Sequence, residues 1–215
     1  MNKEESMLQK RLVELSRLAY NRGIVVFSDF LNLNELNILH TTPKDMFLSQ
    51  YKTYGGYDLS ERQMAVFLPD ALYYEYEYPI QTIEVSPLNK KFSEDLTHRD
   101  YLGALMNLGI DRSTIGDILP GEGEAFLFCQ DTIAEFICDN LEQIRHTHVK
   151  CEVVDAAAEV PQEEPVRQVI QVASPRVDAV IAKVYNKSRS DCLELFRAGK
   201  VYVNGRLCEN NSKPL

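Results

Sequence analysis

The chain has no tryptophan among its 215 residues, and its five cysteines (129, 138, 151, 192 and 208) form no Cys-x-x-Cys pair. An odd, scattered set excludes a complete disulfide framework and a zinc ribbon, and predicts reduced, mostly buried thiols. No apolar run approaches the ~20 residues of a membrane-spanning helix. The opening Met1 to Ser6, with Glu4 and Glu5 already present, lacks the apolar core of a signal peptide. A cytoplasmic protein without a membrane partner is expected. Positive charge is scarce too: 23 Lys and Arg face 32 Asp and Glu, a net charge of −9.

The cations are unevenly placed. Residues 174–215 hold eight Lys or Arg against four Asp or Glu, a net +4, which leaves −13 on residues 1–173. A basic module on an acidic body is the electrostatic footprint of a polyanion grip confined to one end, and it makes structured RNA the first partner to consider.

Hydrophobic periodicity divides the rest. Leu8, Leu12, Leu15, Leu18 and Ala19 predict an amphipathic helix over 4–21, and Ser28-Asp29 before Leu33, Leu36 and Leu39 predicts a second. A mainly helical N-terminal part over 1–64 is therefore expected. Ala65 to Leu68 and Ile80 to Val85 read as strands between Pro69, Pro79 and Pro87, and Tyr73 to Tyr78 as a solvated edge or a loop. A helix from Thr97 to Asn107, strands at 115–119 and 125–129, a helix over 132–144 and a strand at 149–154 follow. From Ile80 this is the strand–helix–strand–strand–helix–strand order of a ferredoxin-like, RNA-recognition-like domain, placed at 65–155. Residues 151–165 carry five acids, no base, three consecutive alanines and two prolines, a linker composition; the connecting segment is placed at 156–173. The fold class is α+β.

In the last module, at 174–215, Val177, Val180, Ile181 and Val184 form one helical stripe and Arg176, Lys183 and Lys187 another. Ser188 is placed to cap a second helix with Asp191 in its first turn, and Gly199 to stop it. Val201 to Val203, Asn204-Gly205 and Arg206 to Cys208 read as a hairpin, because both turn residues tolerate positive φ.

Pro175-Arg176-Val177-Asp178, Lys187-Ser188-Arg189-Ser190 and Leu195 through Gly205, in that order, resemble the small RNA-binding domain named after the fourth small-subunit ribosomal protein, the S-four domain. The resemblance implies a cationic surface for structured RNA made by Arg176, Lys187, Ser188, Arg189, Arg197, Lys200 and Arg206; Lys183 joins them as a candidate from its place on the basic stripe. The upstream motifs Gly55-Gly56-Tyr57, Glu61-Arg62, His98 to Ile110 and Arg112-Ser-Thr-Ile-Gly-Asp117 are similar to those of the bacterial YlmH family. That resemblance implies a helical N-terminal part, an RNA-recognition-like middle and a C-terminal S-four domain. It also implies association with the large ribosomal subunit (rRNA and tRNA) in translation or rescue of stalled nascent chains, besides a link to cell division. In the family the S-four domain continues beyond the position of Leu215, so a hairpin short of a sheet partner, and a loosely held module, are expected.

Other constellations are weaker. His98-Arg99-Asp100 lacks the Asn and the Gly-rich loop of a kinase; Arg99 and Arg112 are instead candidate secondary RNA contacts, weighed against structural ion pairing. His146, His148 and Cys151 lack a fourth ligand, and Gly121-Glu122-Gly123 has no following Lys. Tyr51, Tyr54 and Tyr57 can stack bases or pack the helical part on the sheet. No metal, cofactor, small-molecule substrate or catalytic set is expected, and a non-enzyme is the reading. Two competitors remain: an RNA-modifying enzyme of pseudouridine-synthase type using the module for delivery, and a protein adaptor linked to cell division.

Overall fold

In a computed structural model of the chain, the described residues are 3–89, 93–155 and 166–215. They form two compact units, Met1–Pro161 and Gln162–Leu215. Of the connecting segment, residues 156–165 lie outside the described ones.

The first unit begins with helix α1 (Lys3–Arg22), which buries Leu12, Leu15 and Ala19 as its spacing dictates. Strand β1 (Val26–Leu31) follows where the sequence reading starts a second helix. Helix α2 (Leu33–Thr41) is instead capped by Asn32, whose side chain accepts from the Glu35 amide at 3.0 Å while Glu35 reaches back to the Asn32 amide at 2.8 Å. Ser28 and Asp29 are strand residues: the Ser28 hydroxyl receives the Ala65 amide at 2.9 Å on the neighbouring strand. Strands β2 (Gln50–Tyr54) and β3 (Gln63–Leu68) complete a three-stranded antiparallel sheet in the order β1-β3-β2. The helical N-terminal part thus includes a sheet. Its core is Leu12, Leu15, Ala19, Leu31, Leu36, Leu39, Ala65 and Phe67.

The second layer of this unit has the expected order: β4 (Ile80–Pro87), α3 (His98–Asn107), β5 (Ile115–Pro120), β6 (Ala125–Gln130), α4 (Asp131–Asn140), then β7 (Gln143–Ile144) and β8 (Thr147–Val154). The strands lie β5-β6-β4-β8-β7, all antiparallel. Without the short β7 this is the ferredoxin-like arrangement, with the first strand central. The helix predicted over 132–144 stops at Asn140, and Gln143–Ile144 turns back as a strand. Both helices cover one face, burying Ile83, Val85, Leu127 and Cys129 beneath Tyr101, Leu105, Ala134 and Ile137.

A polar seam locks the two sheets together. Asp117, 9% exposed, accepts from the Tyr57 hydroxyl at 2.8 Å, the Glu61 amide at 2.7 Å and the Arg62 amide at 3.0 Å. Arg62 crosses the seam, donating from Nε to Ile115 O (2.9 Å) and from Nη2 to Phe30 O (3.2 Å) and Arg112 O (3.1 Å). Beside them Tyr57 stacks on Phe128, ring centroids 5.0 Å apart. That approach needs Gly56, which has φ +104° and whose hypothetical Cβ would lie 2.3 Å from the Phe128 ring. Gly116 is a second close approach, with Phe30 2.8 Å from where a Cβ would sit. Gly56→Ala combines overpacking with a left-handed backbone. It is predicted to destabilise the first unit by about 2–4 kcal/mol. Denaturant unfolding followed by far-UV circular dichroism measures this; an unchanged midpoint would show that the seam does not support the fold.

Candidate nucleic-acid interface

The second unit is small. Helix α5 (Val177–Val184) and helix α6 (Arg189–Arg197) pack over Val177, Phe196, Val201 and Cys208, with Ile181, Leu195 and Val203 at the margin. Strands β9 (Tyr202–Val203) and β10 (Arg206–Leu207) make the hairpin, and Asn204 and Gly205 take φ of 52° and 73° as an Asn-Gly turn requires.

Both helices end by the same device. Asn186 after α5 and Gly199 after α6 adopt positive φ, and the next residue closes the helix: Lys187 N–H donates to Ala182 O and Lys200 N–H to Leu195 O, each at 3.0 Å. Each helix is therefore followed by an exposed lysine beside its carbonyl end, where a cation is electrostatically favoured. This corrects the single helical stripe expected for Arg176, Lys183 and Lys187. Arg176 precedes the helix, Lys187 follows it, and Lys183 alone lies on it.

Lys183, Lys187, Arg189, Arg197, Lys200 and Arg206 are all solvent-exposed. The other two candidates serve the framework. Ser188 caps α6: its hydroxyl accepts from the Asp191 amide at 3.2 Å, and Asp191 accepts from the Ser188 amide at 3.1 Å. Arg176 forks onto Asp178, with Nε donating to Oδ1 at 3.0 Å and Nη2 to Oδ2.

Asp178, which the sequence offers only as part of the Pro175 to Asp178 motif, proves to be the anchor of this corner. It is 5% exposed and also receives Asn211 Nδ2 at 3.4 Å. The final residues return to the start of α5: Val177 N–H donates to Lys213 O (3.0 Å), Asp178 N–H to Asn211 O (3.2 Å) and Leu215 N–H to Pro175 O (2.8 Å). Among the described residues the hairpin stays two-stranded, as expected, but the final residues tie the module together at the start of α5 instead of leaving it loose. The hydrogen bond from Arg176, with its charge, holds the Asp178 carboxyl below the usual carboxylate range.

In the first unit, Arg112 is not presented to a ligand. Its Nη1 donates to Ile115 O at 2.7 Å and to Gly116 O at 3.2 Å. Burial, with repulsion from Arg62, pushes its pKa down to about 10, so it stays charged at neutral pH. Arg99 is exposed on α3. The adjacent Asp100 accepts from Thr97 N (2.8 Å) and Thr97 Oγ1 (2.7 Å), so it fastens the helix start. Those bonds hold its carboxyl below the ordinary range.

The sheet face opposite α3 and α4 is where an RNA-recognition motif would stack bases. Phe126, Phe128, Thr82 and Glu84 occupy it by alternation with the buried set, and the cross-strand neighbours of Thr82 and Glu84 are Val154 and Glu152. Phe128 is fully buried under Tyr57, and Phe126 is 3% exposed. The Glu84 and Glu152 pair adds like charge that repels phosphate. Of the three tyrosines, Tyr57 packs the two sheets together, Tyr51 lies against Phe47 and Phe67 of the first, and Tyr54 against Tyr78. The chain from Tyr73 to Tyr78 is a loop along β1, where Tyr74 Oη accepts the Val25 amide at 2.9 Å.

Residues 74–158 match the family model described as "Putative RNA-binding domain in YlmH". A protein of Bacillus subtilis (strain 168) named "Ribosome-associated protein quality control protein P2" is 30% identical over 214 residues, which is 98% of this chain and 81% of that protein. The chain belongs to the YlmH family. A solved structure, "Cell division protein ylmH from Streptococcus pneumoniae", shares the YlmH fold with a TM-score of 0.60 at 24% identity, over 75% of this chain and 97% of that one. The YlmH motifs read from the sequence, Gly55-Gly56-Tyr57, Glu61-Arg62 and Arg112 to Asp117, build the seam between the two sheets.

Because its pKa is depressed in the fold, Asp178 contributes stability that is complete above its unfolded value of roughly 3.9 and is lost as pH falls through the folded value. The second unit should therefore weaken below about pH 4, and Asp178→Asn should be less stable at neutral pH while losing less on acidification. Thermal unfolding at pH 7 and pH 3 checks this. An equal acid-induced loss in both proteins would contradict the role given to Asp178.

Proposed function

We propose that this protein is a non-catalytic, cytoplasmic RNA-binding factor that associates with the ribosome. Its contact is structured RNA of the large subunit, including tRNA bound there, in the rescue of stalled nascent chains. One observation carries the reading: six exposed cations cluster within 24 residues on a folded module with its own core, in a chain whose remainder is strongly acidic. Most of the affinity then comes from phosphate contact and counterion release, and falls steeply with salt. The acidic body opposes indiscriminate RNA binding, and discrimination comes from RNA shape.

The family match and the ribosome-associated name of the Bacillus relative support this assignment. The thiols of Cys129 and Cys151, both pushed up to about 12 by burial, are poor nucleophiles, which disfavours cysteine chemistry. Among the described residues no three His, Cys, Asp or Glu side chains are grouped to hold a metal, and no helix is long and apolar enough to cross a membrane.

Charge reversal at Arg189 and Arg197 together is expected to reduce co-sedimentation with large ribosomal subunits at least tenfold while the thermal midpoint moves little. Retained co-sedimentation would overturn the assignment of this surface. Co-sedimentation that survives RNase treatment of the RNA contacts would favour a protein adaptor.

A further inference from the structure

Residues 74–158 match an RNA-binding family model, yet the sheet face of that domain is closed by Phe128 against Tyr57 and carries Glu84 and Glu152, the latter paired with Lys150. The surface by which the domain would touch RNA must lie elsewhere. Its described Lys and Arg residues are four: Arg99, Arg112, Arg145 and Lys150. Arg112 is spent on backbone carbonyls, and Lys150 is paired with Glu152 at 3.0 Å. The remaining two, Arg99 and Arg145, line one open groove of about 690 Å³ between α3 and the chain leaving α4.

The two-residue β7–β8 turn itself calls for a positive φ, yet two residue choices along that groove are not those the fold alone favours. Among the described residues three non-glycines adopt positive φ, and two of them are asparagines; the third is Arg145, at φ 53° in the turn between β7 and β8. A left-handed arginine is conformationally costly where Gly or Asn would serve. Its return inside the molecule is slight, because Arg145 lies 3.8 Å from Glu94 and 3.7 Å from Asp100 with 54% of its side chain exposed. Gly103 is the second. It sits in the middle of α3, exposed on the groove, and a Cβ built there would meet nothing within 4 Å. No neighbour in the chain requires a glycine, although glycine is among the poorest helix residues. A glycine facing empty space between two arginines suits the close approach of an outside backbone.

We infer that the groove between α3 and the Arg145 turn is a second RNA-binding site, taking a sugar-phosphate backbone. Arg99 and Arg145 grip phosphates, Gly103 leaves room for the approaching backbone, and Asn107 adds a polar side chain; Asn140 and Gln143, whose amide groups donate to Phe136 O at 2.8 Å and Arg145 O at 2.7 Å, offer their remaining oxygens and hydrogens. Asp100 and Glu142 also line the groove. Asp100 is already engaged by Thr97, and its other oxygen faces Arg145 at a distance that a phosphate can compete with. The site extends the RNA-binding reading and rests on it. It also places RNA on the helical side of a domain whose sheet side is closed.

The test uses the full chain and protein-free large-subunit RNA, with affinity measured by filter binding across a salt series. Three proteins are compared with wild type: Arg99→Glu with Arg145→Asn, Gly103→Leu, and Arg189→Glu with Arg197→Glu. Asn at 145 suits the left-handed backbone, and Leu at 103 is a better helix former. Both groove variants should therefore keep or raise the thermal midpoint, so a loss of binding is not a loss of fold. The groove variants are expected to bind five- to twentyfold more weakly, and the double variant to flatten the salt dependence by about one to two in slope. Wild-type affinity and slope in both groove variants, with weakening only in the Arg189 and Arg197 variant, would overturn the groove and leave the main reading standing. Loss of ribosome binding with unchanged RNA affinity would make the groove a protein contact and overturn the inference. If wild type itself does not bind the RNA, the main reading fails and the groove with it.

Discussion

The larger unit depends on the buried carboxylate of Asp117. Its oxygens receive three donors from the segment between β2 and β3, while Arg62, from that same segment, reaches two carbonyls on the far side (Ile115 and Arg112) and one on β1 (Phe30). Each of these groups would be expensive to bury unpaired, at about 1–3 kcal/mol apiece. The set therefore favours one relative placement of the two sheets, and a slipped arrangement would strand several of its members at once. Burial is the main cause of the raised Tyr57 pKa, and it lowers those of Arg62 and Arg112, as expected for polar groups held in a dry joint.

Functional consequences follow from that joint. A ferredoxin-like sheet with aromatic residues on its free face can stack bases, but here the Tyr57 ring occupies the place that a base would take. The fold resembles an RNA-recognition motif in strand order and differs from it in what the sheet can touch. Under the proposed function, contact with RNA is thereby assigned to exposed cations, which are densest on the second unit. Four of them, Lys187, Arg189, Arg197 and Lys200, flank helix ends, so capping and closure of α5 and α6 fix where they emanate. The framework of that module, from the Ser188 cap to the Arg176–Asp178 fork, positions charge without spending it on the ligand.

Much of this was legible in the sequence, for physical reasons that can be named. Alternation and helical spacing between Ile80 and Val154 identified a ferredoxin-like domain because nearly every core position there is apolar on one face. Asn204-Gly205 announced its hairpin through backbone chemistry. Of the N-terminal sheet only its central strand, at 65–68, was legible, and it was placed with the following domain; the other two were hidden because Ser28-Asp29 has the residue types of a helix cap and Gln50 to Tyr54 is a half-exposed edge strand with a weak apolar pattern. Ser28 found its partner 37 residues away, which no local pattern reveals. Charge counting located the basic module, but it could not separate Arg176, which is consumed by Asp178, from Arg189, which is exposed. Arg112 is the same lesson, since its carbonyl partners are set by tertiary approach. Arg145 carried a faint signal, as an arginine in a tight turn that lacks Gly, Asn or Asp.

Under the proposed function, RNA is held by exposed cations and not by the ferredoxin-like sheet face. Ultraviolet crosslinking of the full chain bound to ribosomes, with crosslinked residues mapped by mass spectrometry, tests it most directly. Crosslinks are expected within residues 183–206, and none on Thr82, Phe126 or Phe128. Nucleotides crosslinked to Phe126 or Phe128, with residues 183–206 unmarked, would contradict it by showing that the seam opens and the sheet is the RNA platform.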